Sequence, residues 1–150
     1  QSIHEAIHYC GAHRIGHGVR LVEDESLLNY VNDRRIPIEI CLKSNLQTRA
    51  VADLKSHPLR RYYDAGLRLA LSTDNRLITD TTATEEYLLA AQTFGFNFTE
   101  LKRLAVQGFK SAFLPYRDKK AMLLEVTDTL DAMGGAPVAQ LDEQFQNRRS

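Results

Sequence analysis

The chain has 150 residues, 43% of them hydrophobic and 25% charged, which is a composition typical of a globular core. Nineteen basic residues balance nineteen acidic ones, so the net charge of zero provides no field for a nucleic acid or an anionic membrane. No apolar stretch reaches the roughly 18 residues that span a bilayer, and Cys10 and Cys41 form no CxxC pair, which favours a reducing compartment such as the cytoplasm.

The first ten residues, QSIHEAIHYC, predict an amphipathic helix. Its predicted core face comprises Ile3, Ala6, Ile7 and Cys10. His4, Glu5 and His8 form the pattern H-E-x-x-H, which holds zinc in some proteases. The third histidine of the longer protease pattern is replaced by Arg14, so we interpret the three residues as the solvent face of the helix. Since the chain starts with Gln inside this helix, we expect it to be a piece of a longer polypeptide.

Three short apolar runs predict buried strands. They are RIGH at 14–17, IPIEICL at 36–42 and LRLALS at 67–72. Helical patterns lie between them, at 24–34 and 57–65. The alternation indicates parallel strands joined by crossover helices, and therefore an α/β fold.

The remainder of the chain predicts helices. Thr82 and Glu85 form a T-x-x-E capping box before a helix that runs to about Thr93 and stops at Gly95. Thr99 is the predicted cap of the next helix, and a third covers 119–133. In segment 134–150 the periodicity fades and polar residues dominate, which predicts a loosely held, flexible tail.

Polar residues follow each predicted strand, where parallel α/β folds carry their functional sites. His17 ends the first strand between two glycines and could bond a polarised water, although a lone histidine can also be a satisfied core residue. Asp74 follows the third strand and could be an oxygen ligand for zinc, or it could serve as a helix N-cap or form an Asx-turn. After the second strand, Ser44 and Asn45 are predicted to close a turn with their side chains.

Two further features have a structural interpretation. His57 and Pro58 are typical of a helix start. Tyr62 and Tyr63 are predicted to contribute packing alone.

Four motifs together resemble the adenosine deaminase family in their order and spacing. They are RIGHG at 14–18, C-x-x-S-N at 41–45, HPL at 57–59 and STDN at 72–75. The resemblance covers most of residues 1–133, and implies that they are the C-terminal part of a (β/α)8 barrel, with about three parallel strands followed by C-terminal helices. It also implies one zinc ion, which activates a water that attacks C6 of a purine and expels ammonia.

The resemblance assigns roles to three residues of this chain. Asp74 would be a zinc ligand and orient the attacking water, and His17 would bond that water and stabilise the developing charge. Asn75 would contact N7 of the purine. The commonest family pattern has Asp and Pro after the ligand, whereas this chain has Asn75 and Arg76. An amide can donate a hydrogen bond at any pH, so the change is chemically tolerable.

Other family ligands have no matching position here, namely an N-terminal H-x-H pair, a further histidine and a nearby catalytic glutamate. We therefore expect the 150 residues alone to be inactive, and the full-length parent to deaminate a 6-aminopurine nucleoside such as adenosine in purine metabolism. The expected partners are the nucleoside and either the missing part of the barrel or another copy of the chain, because three strands cannot close a barrel. The alternative is a non-catalytic barrel remnant that serves as a binding or assembly module.

Overall fold

The computed structural model of the chain describes residues 1–140. The chain divides into two compact units, with the boundary after Gly95. No helix among the described residues has both the length and the apolar character needed to cross a bilayer. Of the predicted flexible tail, residues 141–150 lie outside the described residues.

A three-stranded parallel sheet lies at the centre of the first unit, in the order β1-β2-β3. The strands are β1 (Ile15–Gly16), β2 (Ile38–Ile40) and β3 (Leu69–Leu71). Ile38 of β2 lies between Ile15 of β1 and Leu69 of β3, and all three side chains are buried. The predicted α/β topology is confirmed, although each strand is shorter than its apolar run because only the middle of the run pairs with a neighbour.

The rest of this unit consists mainly of helices and two short 3-10 helices. The α-helices are α1 (Ser2–His8), α2 (Glu25–Asp33), α3 (Leu42–Gln47), α4 (Leu59–Asp64), α5 (Arg76–Thr79) and α6 (Ala83–Phe94), and the 3-10 helices are Val19–Glu23 and Leu54–Ser56. The predicted capping box of α6 is present, since Thr82 accepts from the Glu85 amide at 3.2 Å and Glu85 accepts from the Thr82 amide at 2.8 Å. Helices α2 and α4 make the two crossovers that keep the strands parallel.

Helix α1 confirms the solvent-facing interpretation of His4 and His8, but not the whole predicted core face. Ile7 is buried, whereas Cys10 is exposed. The prediction for Cys10 is wrong because the helix ends at His8, so the helical periodicity no longer applies two residues later. The rings of His4 and His8 lie 4.3 Å apart, and His8 also contacts the ring of Tyr30 at 4.8 Å.

The second unit contains α7 (Phe98–Lys110) and α8 (Tyr116–Ala132). The cap of α7 is Asn97, whose Oδ1 accepts from the Glu100 amide at 3.0 Å, so the prediction of Thr99 is wrong. Asn97 is the N-cap because the Glu100 side chain accepts from the Asn97 amide and completes a capping box. Lys102 is buried, and its Nζ donates to Asp131 at 2.9 Å and to two carbonyl groups of segment 134–136.

Candidate active site

The ends of the three strands bring together the polar residues that the sequence singles out. His17 follows β1 and Asp74 follows β3, and the distance between His17 Nε2 and Asp74 Oδ2 is 3.7 Å. Cys41, at the end of β2, completes a group whose potential ligand atoms all lie within 4.8 Å of one another. Residues 57 positions apart in sequence thus meet because parallel strands end at one edge of a sheet.

The backbone is strained at both His17 and Asp74. His17 has φ 62° and Asp74 has φ 54°, a left-handed conformation that costs a residue with a Cβ about 1–2 kcal/mol. The turn at His17 is held by its amide, which donates to the Glu39 carbonyl at 2.7 Å. Gly18 is required next to it, because its φ is 61° and a Cβ there would lie 2.7 Å from Cγ2 of Ile38. Strain of this kind is concentrated where function fixes a side chain.

Ser44 and Asn45 are buried in the first turns of α3, and both face the two reactive residues. Ser44 Oγ donates to Asp74 Oδ2 at 2.8 Å, and Asn45 Oδ1 lies 3.5 Å from His17 Nδ1. The prediction that these side chains close a turn is wrong, because a helix begins directly after β2. The signal that could have found them is the C-x-x-S-N motif, which places both residues on the strand-end side of that helix.

Asn75, the predicted substrate contact, is the N-cap of α5. Its Oδ1 accepts from the amides of Leu77 and Ile78, at 3.1 and 3.3 Å. The helix N-cap at this position is therefore Asn75 and not Asp74. Because two amides bond the Asn75 oxygen, the side-chain nitrogen is the atom left for other groups, and it can only donate.

Tyr62 on α4 does more than pack. It is fully buried, and its hydroxyl accepts from the Val22 amide at 2.8 Å and lies 2.9 Å from the Gly18 carbonyl and 3.0 Å from that of Val19. Burial raises the pKa of Tyr62 to about 12, so the hydroxyl keeps its proton and can donate to either carbonyl. The tyrosine thus fixes the segment that directly follows His17.

Cys41 is buried, and burial together with the charge of Asp74 raises the pKa of its thiol to about 11. Asp74 carries the oxygen that suits zinc, and the three-residue group is smaller than the four-coordinate shell of a zinc site. Among the described residues, this strand-end group therefore fits part of a metal site, to which the Asp74 carboxylate could contribute an oxygen ligand.

An open hollow of about 340 Å³ lies over these residues. Its walls include Gly16, His17, Ser44, Asn45 and Asp74. It gives the His17 and Asp74 side chains, which are 46% and 42% exposed, access to a small molecule.

Comparisons with known proteins agree with the motifs. The adenosine deaminase family model matches residues 1–129. The chain is 44% identical over 113 residues to a probable adenosine deaminase of Dictyostelium discoideum, a match that covers 75% of this chain and 15% of that protein. It is 40% identical over 136 residues to an adenosine deaminase of Mycobacteroides abscessus, where 83% of this chain and 38% of the relative are covered.

Among solved structures, the adenine deaminase of Arthrobacter aurescens superposes with a TM-score of 0.81 at 27% identity, covering 86% of this chain and 39% of that one. The predicted fold is confirmed, because the three strands and their helices correspond to part of a (β/α)8 barrel. The chain spans well under half the length of these proteins.

Proposed function

The chain belongs to the adenosine deaminase family, and we propose that it supplies part of the active site of a zinc-dependent enzyme that hydrolyses the 6-amino group of a purine nucleoside. The observation that carries the proposal is the 3.7 Å approach of His17 and Asp74 at the C-terminal edge of the parallel sheet. Residues 1–133 would belong to one barrel domain, and the remaining zinc ligands would come from residues outside this sequence. Free cysteines support a cytoplasmic location.

Asp74 is the proposed zinc ligand. Ser44 donates to its Oδ2 and thereby fixes the orientation of the carboxylate. A bound zinc ion supplies the Lewis acidity that activates a water at neutral pH. The same carboxylate, beside the hollow, can orient that water toward C6 of the base.

His17 is proposed to bond the attacking water and to stabilise the charge that develops. With its proton on Nδ1, the ring donates toward Asn45 Oδ1 at 3.5 Å, and Nε2, which lies 3.7 Å from Asp74 Oδ2, carries the lone pair that can accept from the water. Asn45 would then select the tautomer of the ring. An acceptor nitrogen at this position suits a water that is losing its proton.

Asn75 is proposed to recognise N7 of the purine. Since the amides of α5 hold its oxygen, its nitrogen can present a donor to an acceptor on the base. Replacing N7 by carbon, as in 7-deazaadenosine, should therefore reduce kcat/KM about 10-fold or more, because the amide donor of Asn75 would lose its acceptor on the base.

The direct test is ammonia release from adenosine and from adenine by the full-length protein that carries this chain, with its zinc content measured. Asp74→Ala should abolish both zinc binding and turnover, and His17→Ala should reduce kcat by about 100-fold or more while zinc remains bound. Asp80→Ala is a matched control, because Asp80 is also left-handed, with φ 47°, and lies on the same segment as the C-cap of α5. Full turnover by Asp74→Ala would refute the assignment.

Two further results would separate the alternatives. The isolated 150-residue chain should release no ammonia from adenosine with or without added zinc. An H-x-H motif and a later histidine and glutamate encoded upstream of Gln1 would support the enzyme. Their absence, together with an inactive protein, would support a non-catalytic binding module.

A further inference from the structure

Helix α6 carries two adjacent glutamates with opposite environments. Glu85 is exposed and caps its own helix. Glu86 has no exposed surface, which is unusual for a carboxylate because burial disfavours its charged form. That desolvation raises the pKa of Glu86. Such a group is retained in an interior only where its oxygens are well bonded.

The bonds of Glu86 lead to another helix. Its Oε2 accepts from the Leu42 amide at 2.7 Å, and its Oε1 accepts from the Lys43 amide at 3.2 Å and from the Thr81 hydroxyl at 3.4 Å. Leu42 and Lys43 are the first two residues of α3. The N-cap position of α3, Cys41, makes no side-chain cap bond, so a carboxylate 44 residues away satisfies the free amides of this helix.

The next two residues of α3 are the ones that contact the reactive pair. Ser44 bonds to Asp74, and Asn45 faces the His17 ring. The Glu86 carboxylate is therefore connected to both ends of the site through one helical turn. A shift of that turn would move both contacts together.

We propose that Glu86 is a positioning residue, which fixes the start of α3 so that Ser44 and Asn45 hold Asp74 and His17 in place. The structural part of this inference stands on the hydrogen bonds alone, and its catalytic part rests on the proposed function. A glutamine at position 86 has nearly the same shape but only one acceptor oxygen, so one of the two amides would face an NH2 group.

The first experiment compares Glu86→Gln with the control Glu85→Gln by hydrogen exchange of the full-length protein. The Glu86 variant should exchange the amides of segment 42–47 about 10-fold faster or more, and the control should leave them unchanged. Equal protection in both variants would overturn the proposal. This measurement does not depend on turnover, so it decides the structural part even if the wild-type protein releases no ammonia and the proposed function fails.

The second experiment is a double-mutant cycle with Ser44→Ala, scored as kcat per zinc-loaded site. Glu86→Gln and Ser44→Ala should each lower kcat by about 10-fold, and their combination should cost less than the product of the two single losses, because Glu86 acts on Asp74 through Ser44. Multiplicative losses would show that Glu86 acts independently of Ser44 and would overturn the catalytic part. If Glu86→Gln does not fold, Thr81→Val removes one donor from the same carboxylate and should give a smaller, equally non-additive loss.

Discussion

Tyr62→Phe removes a single oxygen from the interior and tests whether the tyrosine holds the segment after His17. The hydroxyl accepts one bond from the Val22 amide at 2.8 Å and donates to one of two carbonyls at 2.9 and 3.0 Å. Losing the donated bond costs about 0.5–1.5 kcal/mol, and leaving a partly buried amide without its acceptor costs about 1–3 kcal/mol. We therefore expect the free energy of unfolding to fall by about 1.5–4.5 kcal/mol.

The assay is urea unfolding of the full-length protein at pH 7, with Tyr87→Phe as the control. Tyr87 is a half-buried tyrosine on α6, and burial raises the pKa of its hydroxyl to about 12, as it does for Tyr62. Because the pKa of Tyr62 is raised to about 12 in the folded state, its contribution is fully present below about pH 10 and is lost as the pH rises through 12. Tyr62→Phe should remove that alkaline loss. A variant within about 0.5 kcal/mol of the wild type would refute the anchoring role.

Three other predictions follow from single contacts. Gly18→Ala should lower the free energy of unfolding by about 2–4 kcal/mol, because it combines a left-handed φ of 61° with a Cβ only 2.7 Å from the Ile38 side chain of β2. Gly16→Ala is the control, since a Cβ at position 16 meets open space and should be tolerated. Equal stability of the two variants would contradict this prediction. Burial lowers the pKa of His57 to about 4. The contribution of the neutral ring to the free energy of unfolding is therefore fully present above its ordinary pKa near 6.5, and about 3 kcal/mol of it is lost as the pH falls from 6.5 to 4. His57→Asn keeps an acceptor for the Leu59 amide and should flatten that profile in urea titrations at pH 7 and pH 4.5; an unchanged slope would refute it. Lys102→Met should release segment 134–138, because three oxygen acceptors at 2.9–3.1 Å lose their donor. Limited proteolysis after residue 133 should therefore become faster. An unchanged cleavage rate would show that these hydrogen bonds do not hold the segment.

Much of the fold could be predicted because its signals are local. Apolar runs of four to seven residues gave the strands, and the T-x-x-E box at Thr82 gave the start of α6. Where two local signals competed, prediction failed. Asn97 and Thr99 are both good caps, and only the reciprocal bond from Glu100 to the asparagine amide decides between them.

The candidate site was predictable in part for the same reason. His17 and Asp74 stand directly at strand ends, so topology brings them to one edge. Ser44 and Asn45 were assigned to a turn because a turn and a helix start favour the same short polar residues. Glu86 gave no signal at all, since a glutamate in a helix is normally exposed.

The sequence by itself determined the order of strands and helices, the adenosine deaminase family and the residues that end each strand, because these depend on periodicity and on short motifs. Only the tertiary structure decided which side chains support the residues that end each strand. Tyr62, Ser44 and Glu86 act across 40, 30 and 44 residues of chain, respectively. Hydrogen bonds over such separations exist only once the strands are aligned and the helices packed, so no local pattern encodes them.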